Sequence, residues 1–150
     1  MFFLVRKFRK IRLNRHVFTE ADVRRLCAEN GVGIVEEELD QEGFYLKMFG
    51  KAEIHVNRGL RGLRWMYVVL HELAHHLLHA VRLENAAFLF LGHGQQDSKQ
   101  HHEAEAFALL AMLPEPFLRR LLAGDLLNEL EDYPKEIVMK RLRLLELYGI

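Results

Sequence analysis

The chain has 150 residues, the length of one domain with a core of its own. Half of the residues are apolar and 28% are charged, with only 10 Gly and 3 Pro, which excludes a disordered or collagen-like chain. A single cysteine, Cys27, excludes a disulfide framework and an all-cysteine zinc site, and a net charge of zero leaves no whole-molecule field for nucleic acid.

The charge is balanced only in sum. Arg6, Lys7, Arg9, Lys10, Arg12 and Arg15 give the first fifteen residues a charge of +6 with no acid among them, so the remainder carries −6. Residues 1–18 therefore read as a basic N-terminal arm, either a solvated face or a docking surface for an acidic partner. Its apolar run, Phe2 to Val5, precedes the charges and is too short for a secretion signal. No stretch approaches the roughly 18 uncharged apolar residues of a membrane span. The expectation is a cytoplasmic protein with no membrane contact and no direct contact to nucleic acid.

Residues 19–150 read as a single domain. Thr19, with Asp22 three residues on, caps a helix over about 20–30 that Asn30-Gly31 closes. The period then changes. Three short strands are expected over 32–38, 44–49 and 52–57, with a tight turn at Gly50-Lys51. Helical spacing returns at Leu63, Met66, Tyr67, Leu70, Leu73, Ala74, Leu77, Leu78 and Val81. This segment is apolar nearly all round, so the helix belongs at the centre of the fold. The apolar run 86–91 carries no clear period. Residues 92–96 read as a polar loop, and Asp97, with Gln100 three on, caps a helix that ends at Pro114. Helices over 115–123 and 135–148 follow, with a short one around 126–130. The fold class is α+β: a small three-stranded antiparallel sheet beside a helical bundle.

The nine histidines cluster, and the pentapeptide His71-Glu72-Leu73-Ala74-His75 is the centre of the cluster. Residues i and i+4 share a helix face, so two imidazoles one turn apart can hold one metal ion, with zinc the default. Glu72 lies about 100° round the axis, where it can act as a general base on water beside the ion. A site needs a third ligand. His79 is about 12 Å of helical rise from His71, too far to share an ion, and fits the rim of the site or the helix end. The better source is the next helix, which opens His101-His102-Glu103-Ala104-Glu105. Glu103 precedes Phe107 and Leu110 by helical spacing and so faces inward. Glu105 shares a stripe with Ala108, Leu109 and Met112. His101 and His102 also have ligand atoms, and periodicity does not exclude Glu105, but the spacing favours Glu103.

His71 to His79, read with Glu103-Ala104-Glu105-Ala106-Phe107-Ala108 and Leu113-Pro114, resembles the ImmA/IrrE metallopeptidase family. That family carries HELxHxxLH and then, roughly 25 to 30 residues on, E-A-(N/D)-x-F-A-x-x-L-L-M-P. The resemblance covers about residues 19–148. Ile54 to Asn57 resembles the family's I-x-x-N strand, and Arg141 to Leu144 its terminal helix. Glu105 stands where Asn or Asp is usual, and His101 at a position often filled by Glu. The basic arm has no counterpart.

The resemblance implies a zincin-like fold of the gluzincin kind, with one zinc per chain on His71, His75 and Glu103. It implies an endopeptidase that cleaves a helix-turn-helix repressor or similar regulator. Zinc-bound water would attack the peptide carbonyl with Glu72 as base. The substrate strand would lie along Ile54, His55 and Asn57 by edge addition. Oxyanion or rim candidates are His79, His101, His102, His55 and Tyr45. The alternative is a non-catalytic, metal-stabilised protein-binding module, as in a toxin–antitoxin-like pair.

Overall fold

The computed structural model describes residues 1–90, 98–125 and 127–150. The expected loop 92–96 and the Asp97 cap lie outside them, and so does the start of the short helix at 126. In chain order the elements are α1 (Phe2–Lys7), a 3₁₀ turn (Arg9–Ile11), α2 (Glu20–Glu29), β1 (Val32–Glu37), β2 (Gly43–Met48) and β3 (Lys51–Asn57). Then come α3 (Gly62–His75), a π turn (His76–Ala80), β4 (Ala86–Phe90), α4 (Lys99–Met112), α5 (Glu115–Leu122), α6 (Leu127–Leu130) and α7 (Lys135–Tyr148).

The fold is α+β, but the sheet has four strands, not three, and is mixed. Its order is β1-β3-β2-β4, with β1 parallel to β3 and β2 antiparallel to both of its neighbours. A simple meander would put β1 beside β2. Instead the connection 38–42 passes over the end of β3 and is fastened there. The Asn57 side-chain amide donates to Leu39 O at 2.7 Å, while the Asn57 backbone N–H donates to Glu42 O and the Arg58 N–H to Glu37 O, both at 2.9 Å. The fourth strand is the run without a clear period, and it takes an edge. Along it Phe88 and Phe90 turn inward, and Ala87 and Leu89 face solvent.

The β2–β3 hairpin turns at Phe49-Gly50, one residue before the expected Gly50-Lys51, with Met48 opposite Lys51. Both loop residues have positive φ, 49° and 77°, as a type I′ turn requires. Glycine tolerates that geometry; phenylalanine does not, and Phe49 is 81% exposed, so packing returns nothing. Phe49→Asn, which creates an Asn-Gly turn, is therefore expected to stabilise the protein by about 0.5–1 kcal/mol. The check is a higher urea midpoint with an unchanged slope.

α2 has the expected capping box, in which Thr19 Oγ1 accepts from Asp22 N at 3.2 Å and Asp22 Oδ2 accepts from Thr19 N at 2.9 Å. α3 is buried from Trp65 to His75, between the sheet and α4, as its all-round apolarity requires. The basic arm is not detached. Leu4, Leu13 and Phe18 are buried in the common core, and the Phe8 ring meets Phe107 edge-on at 5.0 Å. The cations of the arm stay outside. Among the described residues no helix is long and apolar enough to cross a membrane.

Candidate metal centre

Helical spacing on α3 brings the His71 and His75 Nε2 atoms face to face at 3.2 Å. The first turn of α4 brings His101, whose ring centre is 4.6 Å from that of His71. One ligand atom from each of His71, His75 and His101 lies within 4.8 Å of the others. Ser98 sets this first turn by capping α4, with its Oγ accepting from His101 N at 3.2 Å.

Burial and mutual repulsion keep these imidazoles neutral. His71 is pushed well below the usual histidine range by burial, with His75 and His101 adding to the effect. His75 is pushed down to about 3, first by burial and then by His79 and His101, and His101 is lowered chiefly by burial. Neutral imidazole is the form that binds metal. The Nδ1 atoms of His71 and His101 are buried without a hydrogen-bond partner among the described residues. Three neutral imidazoles, each offering one lone-pair nitrogen, are a donor set that fits a cation.

Glu72 is fully buried. Neither carboxyl oxygen meets hydrogen-bond geometry with a described residue. Burial pushes its pKa well above the carboxylate range. The nearby Tyr45 backbone N–H opposes that shift. A buried carboxyl without a side-chain partner among the described residues, on the helix that carries His71 and His75, is a costly arrangement for structure alone.

The resemblance assigns the third ligand to Glu103, and the structure does not bring Glu103 into this group. Residues 101 and 103 are about 200° apart round α4, so they cannot both face one point. Glu103 faces the π turn instead. Its Oε2 lies 3.1 Å from His79 Nε2, and His79 Nδ1 lies 3.1 Å from His75 Nδ1. His79 thus links the ligand helix to α4. Glu105 is held elsewhere, accepting from Tyr67 OH at 2.9 Å and from Lys140 Nζ, which keeps its carboxyl below the usual range against the pull of burial.

The family model Peptidase_M78, an IrrE N-terminal-like domain, matches residues 9–143. The chain belongs to this family. It is a metallopeptidase family, and the matched span takes in the three imidazoles, Glu72 and the second half of the basic arm. No curated protein and no solved structure gives a match.

Within this IrrE-like domain the other expected site residues are placed as follows. Tyr45 is buried, with its hydroxyl 2.8 Å from His76 Nδ1, so it braces the π turn. Lys47 does the same by donating to Ala80 O at 3.1 Å. Ile54 is in the core. His55 lies on the opposite face of the sheet, because side chains alternate along β3. There it stacks on Phe44 and contacts Glu37 and Glu53 at 2.7 and 3.1 Å. Asn57 is spent on the 38–42 connection. His102 is exposed, beside His101. Furthermore β3 is flanked on both sides, so it has no free edge for a substrate strand.

Sequence reasoning missed the wall of the site. Phe88 stacks on His75 at 4.2 Å, and Phe90 meets His71 edge-on at 5.0 Å. Both come from β4, whose only signal was the alternation Phe88-Leu89-Phe90 inside an apolar run.

Proposed function

We propose that this chain is a zinc endopeptidase with the metal held by His71, His75 and His101, one ion per chain, acting on a protein substrate such as a helix-turn-helix regulator. The observation that carries this reading is the convergence of three neutral imidazoles, with the buried Glu72 carboxyl on α3 between His71 and His75 in sequence and without a side-chain partner among the described residues. When bound, zinc supplies a Lewis acid that polarises the scissile carbonyl and stabilises developing negative charge. Three nitrogen ligands suit zinc. Glu72 accepts a proton from the attacking water and delivers it to the leaving amine nitrogen. Phe88 and Phe90 fix the histidine rings and keep bulk water away. β4 is the strand beside the ligands, and it has a strand neighbour on one side only among the described residues, so its other edge can pair with the substrate.

Repressor cleavage is supported by the family alone. The direct test is incubation of zinc-loaded protein with a co-encoded helix-turn-helix regulator, read by mass spectrometry. A chelator-sensitive cut at a single bond is expected, and an intact regulator at all metal loadings would overturn the reading.

The ligand set has its own test. His101→Ala should lose stoichiometric zinc after dialysis, with an affinity loss of more than about 100-fold. Glu103→Ala should retain zinc and lose less than His101→Ala. The reverse order would return the third ligand to Glu103.

One observation favours a non-catalytic, metal-stabilised binding module. His71, Glu72 and His75 are 1%, 0% and 3% exposed, so the candidate ligands and base present almost no surface to a peptide. That reading predicts that zinc raises the unfolding temperature while no substrate is cut.

A further inference from the structure

Two adjoining cavities, of about 510 and 500 Å³, share Met1, His102 and Tyr148 and form one groove between α1, α4 and α7. Resting on the peptidase reading, we propose that this groove docks a segment of the protein substrate that carries apolar anchors flanked by acidic residues.

The groove is apolar within. Leu109 and Leu144 form its floor, and Phe3, Leu147 and Tyr148 stand at its margin, 45%, 62% and 41% exposed. Large apolar side chains left in water around a cavity mark a place of contact. The rim is basic and partly unspent. Arg143 lines the groove and makes no ion pair among the described residues, and Lys99 stands at the other end. Phe3, Arg6 and Lys7 share a face of α1 at i, i+3 and i+4, so the cations of the arm continue the rim. Arg6, Lys7, Arg9, Lys10, Arg12 and Arg15 are exposed, and none is paired with a described carboxylate. Such a surface attracts carboxylates and steers their approach.

The same charges could attract a phosphate backbone. The groove wall argues against it, because the apolar side chains of Leu109, Leu144 and Leu147 offer a phosphate backbone no contact, and Glu103 and Glu105 already neutralise Lys99 and Lys140. A peptide can turn apolar side chains to that wall and carboxylates to the rim. The position also fits a substrate site. Glu103 joins the groove to the centre through His79 and His75, so a docked segment lies one hydrogen-bonded chain from the ligands.

The test is fluorescence anisotropy on the zinc-loaded full chain with two labelled synthetic peptides of about 14 residues. They share a Leu/Phe pattern at helical spacing and carry either Glu or Lys at the flanks. The acidic peptide should bind at least about tenfold tighter than the basic one and weaken as salt rises. Arg143→Glu and Leu147→Asp, both at exposed positions, should each weaken it about fivefold or more, with unchanged circular dichroism and zinc content. Equal binding of both peptides would overturn the proposal. So would wild-type affinity in both groove variants, or preference for a duplex DNA probe over the acidic peptide. The two readings fail separately. Groove-dependent binding without any cleavage would sink the peptidase reading alone, and undiminished substrate cleavage by both groove variants would sink the groove alone.

Discussion

Glu72→Gln is expected to leave the protein folded and zinc-loaded while its peptidase rate falls by about 10²- to 10⁴-fold. The variant keeps His71, His75 and His101, so zinc stoichiometry should be unchanged. It replaces a carboxyl that has no hydrogen-bond partner among the described residues by a neutral amide of the same shape. An amide needs no proton to be buried, whereas the metal-free carboxyl must take one up on folding, so the metal-free variant should be at least as stable as the metal-free wild type. What is lost is the acceptor that takes a proton from water and returns it to the amine. The loss should therefore appear in kcat and kcat/KM together, with KM little changed. The decisive comparison is cleavage rate and bound zinc measured on one preparation. A variant that retained zinc and cleaved at the wild-type rate would remove Glu72 from the chemistry. A variant that lost its zinc would show that the carboxyl belongs to the ligand shell.

Much of the centre is local and so was legible in the sequence. His71, Glu72 and His75 follow from one period of one helix, and the burial of α3 follows from its lack of a polar face. The capping box at Thr19 and Asp22 is local in the same way. The sheet is not. Whether β1 sits beside β2 or beside β3 depends on where the 38–42 connection is fastened, and Asn57 makes that decision from fifteen or more residues away. Which side chain of α4 approaches His71 and His75 is not local either. His101 and Glu103 both carry donor atoms near the start of α4, and their choice depends on how α4 is rotated against α3, which no pattern within α4 encodes. The π turn adds to this. It places His79 between His75 and Glu103, so that the Glu the family pattern favours is engaged by a second histidine. β4 was hidden because five apolar residues are too few to separate a strand from a helix turn.

Arg141 joins segments far apart in the chain, and its removal should be among the most destabilising single changes outside the centre. Its side chain is fully buried. Nε donates to Leu113 O at 2.6 Å, Nη1 to Ile150 O at 2.6 Å and Nη2 to Asn14 Oδ1 at 3.0 Å. Asn14 Oδ1 also accepts from Glu115 N at 2.8 Å, so one knot ties the arm, the α4–α5 corner and the end of the chain. Burial lowers the guanidinium pKa to about 10, which still leaves it charged at neutral pH. Arg141→Ala would leave a cavity and strand buried carbonyls at about 1–3 kcal/mol each, for a total loss of about 3–5 kcal/mol. In a domain of this size that corresponds to a fall of about 10 °C or more in unfolding temperature. Arg141→Lys should recover only part of it, because an ammonium cannot reproduce the three-way fork. Asn14→Ala should cost less. It removes a φ +62° residue suited to the left-handed region and two hydrogen bonds but leaves Arg141 its two carbonyls. The double variant is then expected to lose less than the sum of the singles, since both remove the Nη2–Oδ1 bond. Strict additivity in urea titrations would mean that the arm and α7 are held independently and that the knot is not cooperative.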